Sequence, residues 1–334
     1  MKIPLEVRGE GLYCCPGQFY IDAWKPVPLS IVTHAHGDHA YRGHQHYIAS
    51  KDSKDLLLHR LGSNISLQVL SYGEKIKIKD CWVSLHPAGH ILGSSQIRIE
   101  TNNIVTVISG DYKRALDPTC QPFETLECDI FVTESTFGLP IYRWQDSLEI
   151  AKEMFEWWEQ NKADNHPSII YSYSLGKAQR ILSLLKSFTD QPAYLHGAMM
   201  PLTKIYAEKG IEMLPFIACS EQPKGYTFSN DLILAPPSAA GSPWLKRFPH
   251  FRAAAASGWM LVRGARKRKG MDQGFVLSDH ADWEGLIQTI KQSQAKVVLT
   301  THGNTDVLAK YLREQLHVDA RELKGLDVLE EEID

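Results

Sequence analysis

Four side chains able to bind a metal fall within six residues in Thr33-His34-Ala35-His36-Gly37-Asp38-His39. Several imidazoles and a carboxylate in so short a segment are poor core residues, because burying them unpaired is costly. Two histidines one residue apart face the same way on an extended chain. Past the Gly37 bend, Asp38 and His39 can point to a second position a few ångströms on. Two cations held about 3.5–4 Å apart suit hydrolysis of a phosphodiester. Further candidates lie elsewhere in the first half of the chain. His90 sits in Ala88-Gly89-His90-Ile91-Leu92-Gly93-Ser94, a turn whose glycines permit close backbone approach. Asp111 follows an apolar run, and a carboxylate there could bridge two cations. Asp22, closing Phe19-Tyr20-Ile21, is placed to accept a hydrogen bond from a ligand histidine and fix its tautomer.

These residues need rigid elements behind them, and the pattern supplies strands. The runs at 29–33, 81–85, 96–100, 104–108 and 129–133 are short and rich in β-branched or aromatic residues. Three of them, at 29–33, 104–108 and 129–133, run into polar residues at their ends. From about Tyr142 the texture changes. Ser147 to Glu159 reads as an amphipathic helix whose Trp157-Trp158 pair packs in a core, Ser168 to Tyr171 as a buried strand, and Lys177 to Phe188 as a helix. A third region begins near Gly270: a strand at 274–277, a helix capped by Asp282, a strand at 296–300, and a last long helix after Asn304.

The bulk properties exclude several classes. With 334 residues, 43% hydrophobic and 22% charged, the chain reads as a soluble globular protein of one large or two joined domains. It lacks an apolar run near the ~20 residues that span a membrane. It lacks the pattern of a signal peptide as well, so no membrane partner is expected and a cytoplasmic location is. Six cysteines without a CxxC pair read as buried, reduced thiols rather than a disulfide or zinc framework. A net charge of −3 means that any nucleic-acid binding must come from a local basic patch. The remaining histidines read as surface or packing residues, His86 being the least settled because it lies four residues from His90.

HAHGDH, then AGH, then GD, preceded by the Asp of YID, resembles the metallo-β-lactamase superfamily. That resemblance implies an αββα sandwich with its metal site at one edge. Thr133-Glu134-Ser135-Thr136-Phe137-Gly138 resembles motif A of the β-CASP nucleases, Ser278-Asp279-His280-Ala281-Asp282 their motif B, and Thr300-Thr301-His302-Gly303 their motif C. Tyr171 to Gln179 is similar to the opening of the β-CASP cap. The implied fold is α/β, with a metallo-β-lactamase domain in two parts (1–140 and 270–334) around an inserted cap (141–269). The resemblance assigns His34, His36 and His90 to one zinc, and Asp38, His39 and His302 to another, with Asp111 bridging. Manganese is the alternative metal. It also implies hydrolysis by a hydroxide shared between the metals, with Glu134 orienting His280 to protonate the leaving oxygen.

For substrate, the resemblance and the charge pattern offer Ser174, Lys177 and Arg180 near a helix start, and Arg266, Lys267 and Arg268 within a run of five cations in seven residues. Trp244 and Tyr173 could stack bases. His302 at motif C is what RNA-processing members carry. The opening Gly11 to Trp24 resembles instead the bacterial ligase-associated DNA exonucleases, with Gln18 and Ala23 in place of that family's usual Asp and Pro. A DNA exonuclease is therefore favoured and an RNA-processing nuclease is the alternative, with an ATP-dependent DNA ligase and a helicase as pathway partners in repair. A thioester or lactone hydrolase would share His34 to His39, His90 and Asp111. It has no use for Glu134 or for the long segment between Glu134 and His280.

Overall fold

The computed structural model describes residues 2–262 and 270–325. The protein is a mixed α/β chain that divides into two compact units, one of residues 1–143 with 280–333, the other of 144–279. Arg266, Lys267 and Arg268 lie outside the described residues.

The first unit holds two sheets. One has six strands in chain order, from Leu5–Arg8 to Leu67–Leu70. It opens as an antiparallel meander and turns parallel at Phe19–Ile21 and Leu29–Ile31. The other has seven strands, and three neighbours in it, Ile104–Ile108, Ile130–Ser135 and Val297–Gly303, run parallel. Side chains alternate across a strand, so these three central strands feed two cores. Ile97, Ile99, Ile130 and Val132 meet Leu12, Ile21, Ile31 and Ile48 of the first sheet. On the opposite face Val107, Phe131 and Val298 pack against Trp283, Leu286 and Ile290, and against Leu308 and Leu312. Those last residues belong to the helices Trp283–Ser293 and Thr305–Leu316. Asp282 caps the first of them as expected, accepting the Gly285 N–H at 2.8 Å. Each apolar side chain so buried contributes about 1.5–3 kcal/mol.

Parallel neighbours place their C-terminal ends on one edge of a sheet. Polar residues that end those strands are thereby gathered, although they are far apart in the chain.

The second unit is built on a six-stranded, wholly parallel sheet in the order Phe216–Ala218, Ala193–Leu195, Leu232–Ala235, Ser168–Tyr171, Arg252–Ala256, Gln273–Phe275. The helix from Ser147 runs to Ala163, beyond the expected Glu159, and Asn161 in its last turn is buried and donates to Ser168 Oγ at 2.9 Å. Trp158 is buried in the same core, with Trp157 packed against it. The helix expected to reach Phe188 ends at Leu185. Among the described residues, no helix is long and apolar enough to cross a membrane.

Candidate metal centre

The site draws on such strand ends from both sheets of the first unit. Asp22 follows Phe19–Ile21, the His34–His39 segment follows Leu29–Ile31, and Asp111 follows Ile104–Ile108. Glu134 lies near the end of Ile130–Ser135. Two glycines make the approach possible. Gly89 has φ +73°, and a Cβ there would fall 2.4 Å from the Lys113 carbonyl oxygen. Gly110 has φ +55°, and its Cβ would meet Thr33 at 2.8 Å.

His34, His36, His90 and Asp111 each offer a ligand atom within 4.8 Å of the others, and so do His34, Asp38 and His39. Asp111, Glu134 and His280 form a third such group. The distances test whether a cation fits. His34 Nε2 and His90 Nε2 each lie 3.1 Å from His36 Nδ1. Tetrahedral zinc with bonds near 2.05 Å separates its ligand nitrogens by roughly 3.3 Å, so these two separations are of the right size. Asp111 Oδ2 is 3.5 Å from His34 Nε2, 3.7 Å from His90 Nε2 and 3.5 Å from His39 Nε2. One carboxylate oxygen therefore faces both imidazole sets. His39 Nε2 also lies 3.6 Å from Asp38 Oδ2. The buried cluster is thus able to hold metal ions.

Neighbouring groups orient the donors. Asp22, itself at φ +46°, takes His39 Nδ1 at 2.8 Å on Oδ2 and the Thr33 N–H at 2.8 Å on Oδ1. This leaves His39 Nε2 turned toward Asp38 and Asp111. Glu134 Oε1 accepts the Tyr112 N–H at 2.7 Å, and Oε2 lies 2.9 Å from His280 Nδ1. His302 stands outside the tight groups, its ring centroid 5.6 Å from that of His39. It is the extra residue of a bulge: Glu134 pairs with Thr301 and Ser135 with Gly303, and His302 between them has φ +52°. Ser135 Oγ donates to the His302 carbonyl and to the Thr301 carbonyl.

Titration in the metal-free protein follows from this packing. Burial holds His34 neutral, well below the usual histidine value, with neighbouring imidazoles adding to the effect. Burial also lowers His302. For His39 burial is the largest influence and acts downward, yet Asp111, Asp38 and Asp22 together outweigh it and raise the value. Burial lifts Asp111 to about 7. Glu134 is lowered because His280 and its hydrogen bonds outweigh burial. Asp38 is lowered in the same way, chiefly by His39 and His36.

The residues expected at substrate are placed differently. Ser174 is buried and its carbonyl accepts from Gln179. Lys177 and Arg180 have side chains only 3% and 2% exposed, lying 2.9 and 3.1 Å from the two oxygens of Asp279. Arg180 also donates to the Ser278 carbonyl and to Ser147 Oγ. Two features were not read from the sequence. Asp279 as the partner of both cations is one. The other is His86, held between Ser84 Oγ and Glu124 Oε2 at 3.0 Å each. Period-two spacing puts Ser84 and His86 on one face, but nothing local points to Glu124. All six cysteines are free, three of them buried.

No family model matches the chain. It is 31% identical over 316 residues to "Probable DNA ligase" of Opitutus terrae, covering 94% of this chain and 30% of that protein. It is 26% identical over 211 residues to "RNase J-like protein" of Methanocaldococcus jannaschii, covering 54% of this chain and 50% of that one. The chain thus spans about a third and a half of the lengths of these relatives. A crystal structure of a protein of unknown function from Enterococcus faecalis V583 shares the fold with a TM-score of 0.54 at 14% identity, over 82% of this chain and 75% of that one.

Proposed function

We propose that this protein is a metal-dependent nuclease of the metallo-β-lactamase fold with a β-CASP cap, hydrolysing DNA phosphodiester bonds from a strand end. The observation that carries this reading is Asp111 Oδ2, which lies 3.5 Å from His34 Nε2, 3.7 Å from His90 Nε2 and 3.5 Å from His39 Nε2. A shared carboxylate between two imidazole sets is the layout of a two-metal hydrolytic site. His34, His36 and His90 would hold one zinc and Asp38, His39 and His302 the other, with manganese as the alternative. When bound, such metals supply a water acidified to neutral pH and offset charge on the phosphoryl oxygens.

The remaining steps belong to the chain's own groups. Asp22 holds His39 in the tautomer that frees Nε2. Glu134 keeps a proton on His280 Nδ1, so that Nε2 can pass its own proton to the leaving oxygen. Arg266, Lys267 and Arg268 would take phosphates in a salt-dependent way. A relative named "Probable DNA ligase", matched over nearly the whole of this chain, supports DNA as the substrate; the role in repair and the pathway shared with an ATP-dependent ligase and a helicase rest on the family resemblance alone. The relative named RNase J-like supports RNA as the second reading.

The deciding experiment is digestion of matched DNA and RNA oligonucleotides, labelled separately at each end, with zinc or manganese and a chelator control. Progressive shortening of DNA with RNA spared is expected. Internal cuts in RNA would move the protein to the second reading, and no cleavage of either would return a thioester or lactone hydrolase to contention.

A further inference from the structure

Thr33, the buried residue just before His34, touches four separate parts of the metal centre. Its N–H donates to Asp22 Oδ1 at 2.8 Å. Its carbonyl accepts the Ser95 N–H at 2.8 Å, just past the turn that carries His90. Its side chain packs closely on Gly110, the residue before Asp111, where a Cβ would fall 3.0 Å from both Cγ2 and Oγ1 of Thr33. Its hydroxyl makes the fourth set of contacts. Oγ1 lies 2.6 Å from Asp22 Oδ2, 3.1 Å from His34 Nδ1 and 3.4 Å from His39 Nδ1.

Counting protons fixes the direction of each bond. A hydroxyl has one hydrogen to give and lone pairs with which to receive, and a carboxylate only receives. Asp22 Oδ2 therefore takes the Thr33 hydrogen, and it takes the His39 Nδ1 proton as well, at 2.8 Å. With its one hydrogen committed to Asp22, Thr33 Oγ1 can only accept from His34, so His34 carries a proton on Nδ1. A neutral imidazole so held has its lone pair on Nε2. That is the atom lying 3.1 Å from His36 Nδ1 and 3.5 Å from Asp111 Oδ2. The other tautomer would set two lone pairs against each other across the 3.1 Å between Thr33 and His34. Asp22 thus meets His39 directly and His34 through this hydroxyl.

We propose that Thr33 is a positioning residue whose hydroxyl sets His34 as an Nε2 ligand and, through Asp22, ties His34 to His39 in one chain of hydrogen bonds serving both metal-ligand sets. The proposal rests on the two-metal reading but not on nucleic acid as the substrate.

Thr33→Val and Thr33→Ser separate the hydroxyl from the packing. Valine keeps a branched side chain against Gly110 and leaves the buried His34 N–H without its acceptor, which is costly. Serine keeps the hydroxyl and loses only the methyl. Competition with a chromogenic chelator on the full chain should show Thr33→Val binding zinc roughly 10- to 100-fold more weakly, with Thr33→Ser close to the unaltered protein. Zinc bound by Thr33→Val as tightly as by the unaltered protein, or weakened as much by Thr33→Ser, would overturn the proposal. A second measurement needs no substitution at Thr33. Long-range proton–nitrogen correlation spectra of the unaltered, metal-free protein, labelled with nitrogen-15 at histidine, report which ring nitrogen holds each proton. The His34 signal, assigned by its absence from His34→Gln, should show the proton on Nδ1 and a bare Nε2. A proton on Nε2 instead would overturn the proposal whatever the zinc affinities. Neither measurement involves nucleic acid, so a failure to cut DNA or RNA would count against the nuclease reading and leave the role of Thr33 to be decided by these two.

Discussion

Each of the two units buries a knot of charged and polar side chains, and the two knots are balanced in opposite ways. In the second unit Asp279 meets both Lys177 and Arg180 within 3.1 Å, so cations and anion answer one another inside the fold. In the first unit His34, His36, His90 and Asp111 turn lone-pair donors toward one point, and the neutral state that burial imposes on His34 leaves it no charge with which to answer the carboxylate. A knot complete in itself holds structure. A knot of converging donors asks for a cation.

The contrast is broken most directly at the converging donors. His36→Ala or Asp111→Ala is expected to cut phosphodiester hydrolysis by roughly 10³-fold or more, the equivalent of about 4 kcal/mol of transition-state stabilisation. Circular dichroism should show the fold retained, and metal analysis should show less metal per chain. Turnover like that of the unaltered protein in either variant would sink the site assignment.

The self-balanced knot should respond in stability instead. Asp279→Ala leaves two buried cations without their carboxylate, and breaking a buried pair costs about 3–5 kcal/mol. Denaturant unfolding should show that loss equally with zinc and with chelator. A loss below about 1 kcal/mol, or one that zinc repairs, would erase the distinction between the two knots.

How much of this was legible in the chain depends on whether a feature is local. The His34–His39 segment announces its chemistry by spacing, and Asp22 and Asp111 by closing apolar runs. Parallel pairing gathers Asp22 and the His34–His39 segment, and the packing of the two sheets brings Asp111 to them. Glu134 and His280 are 146 positions apart, and only their likeness to known motifs brought them together before the 2.9 Å contact was visible. The pairing of Lys177 and Arg180 with Asp279 had no such local sign, and the sequence offered these cations to phosphates. Nor did periodicity foretell the bulge that carries His302. The strand was expected to stop at 300 but runs to Gly303, and the extra residue is absorbed at left-handed φ.

A smaller effect sharpens the first knot. Asp22→Asn keeps the shape but weakens the acceptor that holds His39 Nδ1 at 2.8 Å. Losing such a partner costs about 10- to 100-fold in metal affinity or activity. Competition with a chromogenic chelator would measure it. Unchanged zinc affinity would mean that His39 is oriented without Asp22.

The smallest expected effect is a pH dependence, and its sign separates a metal site from a merely buried one. In the metal-free protein Asp111 is lifted to about 7, first by burial, against about 3.9 in an unfolded chain. His39 is also raised, and because Asp111 helps to raise it the two titrate as a pair. The folded state therefore binds more protons than the unfolded one across this window, and the pair's contribution to stability falls as pH rises from about 4 through 7. A cation at Asp111 replaces those protons and requires the carboxylate ionised. His34, held neutral by burial, competes little, and burial lowers His302 as well. The gap in melting temperature between zinc-loaded and chelated protein should accordingly widen from pH 5 to pH 8. In Asp111→Asn that widening should largely disappear. A gap that stays constant or narrows with rising pH would show that protons and metal do not compete for Asp111, and the shared carboxylate would lose its place at the centre of the site.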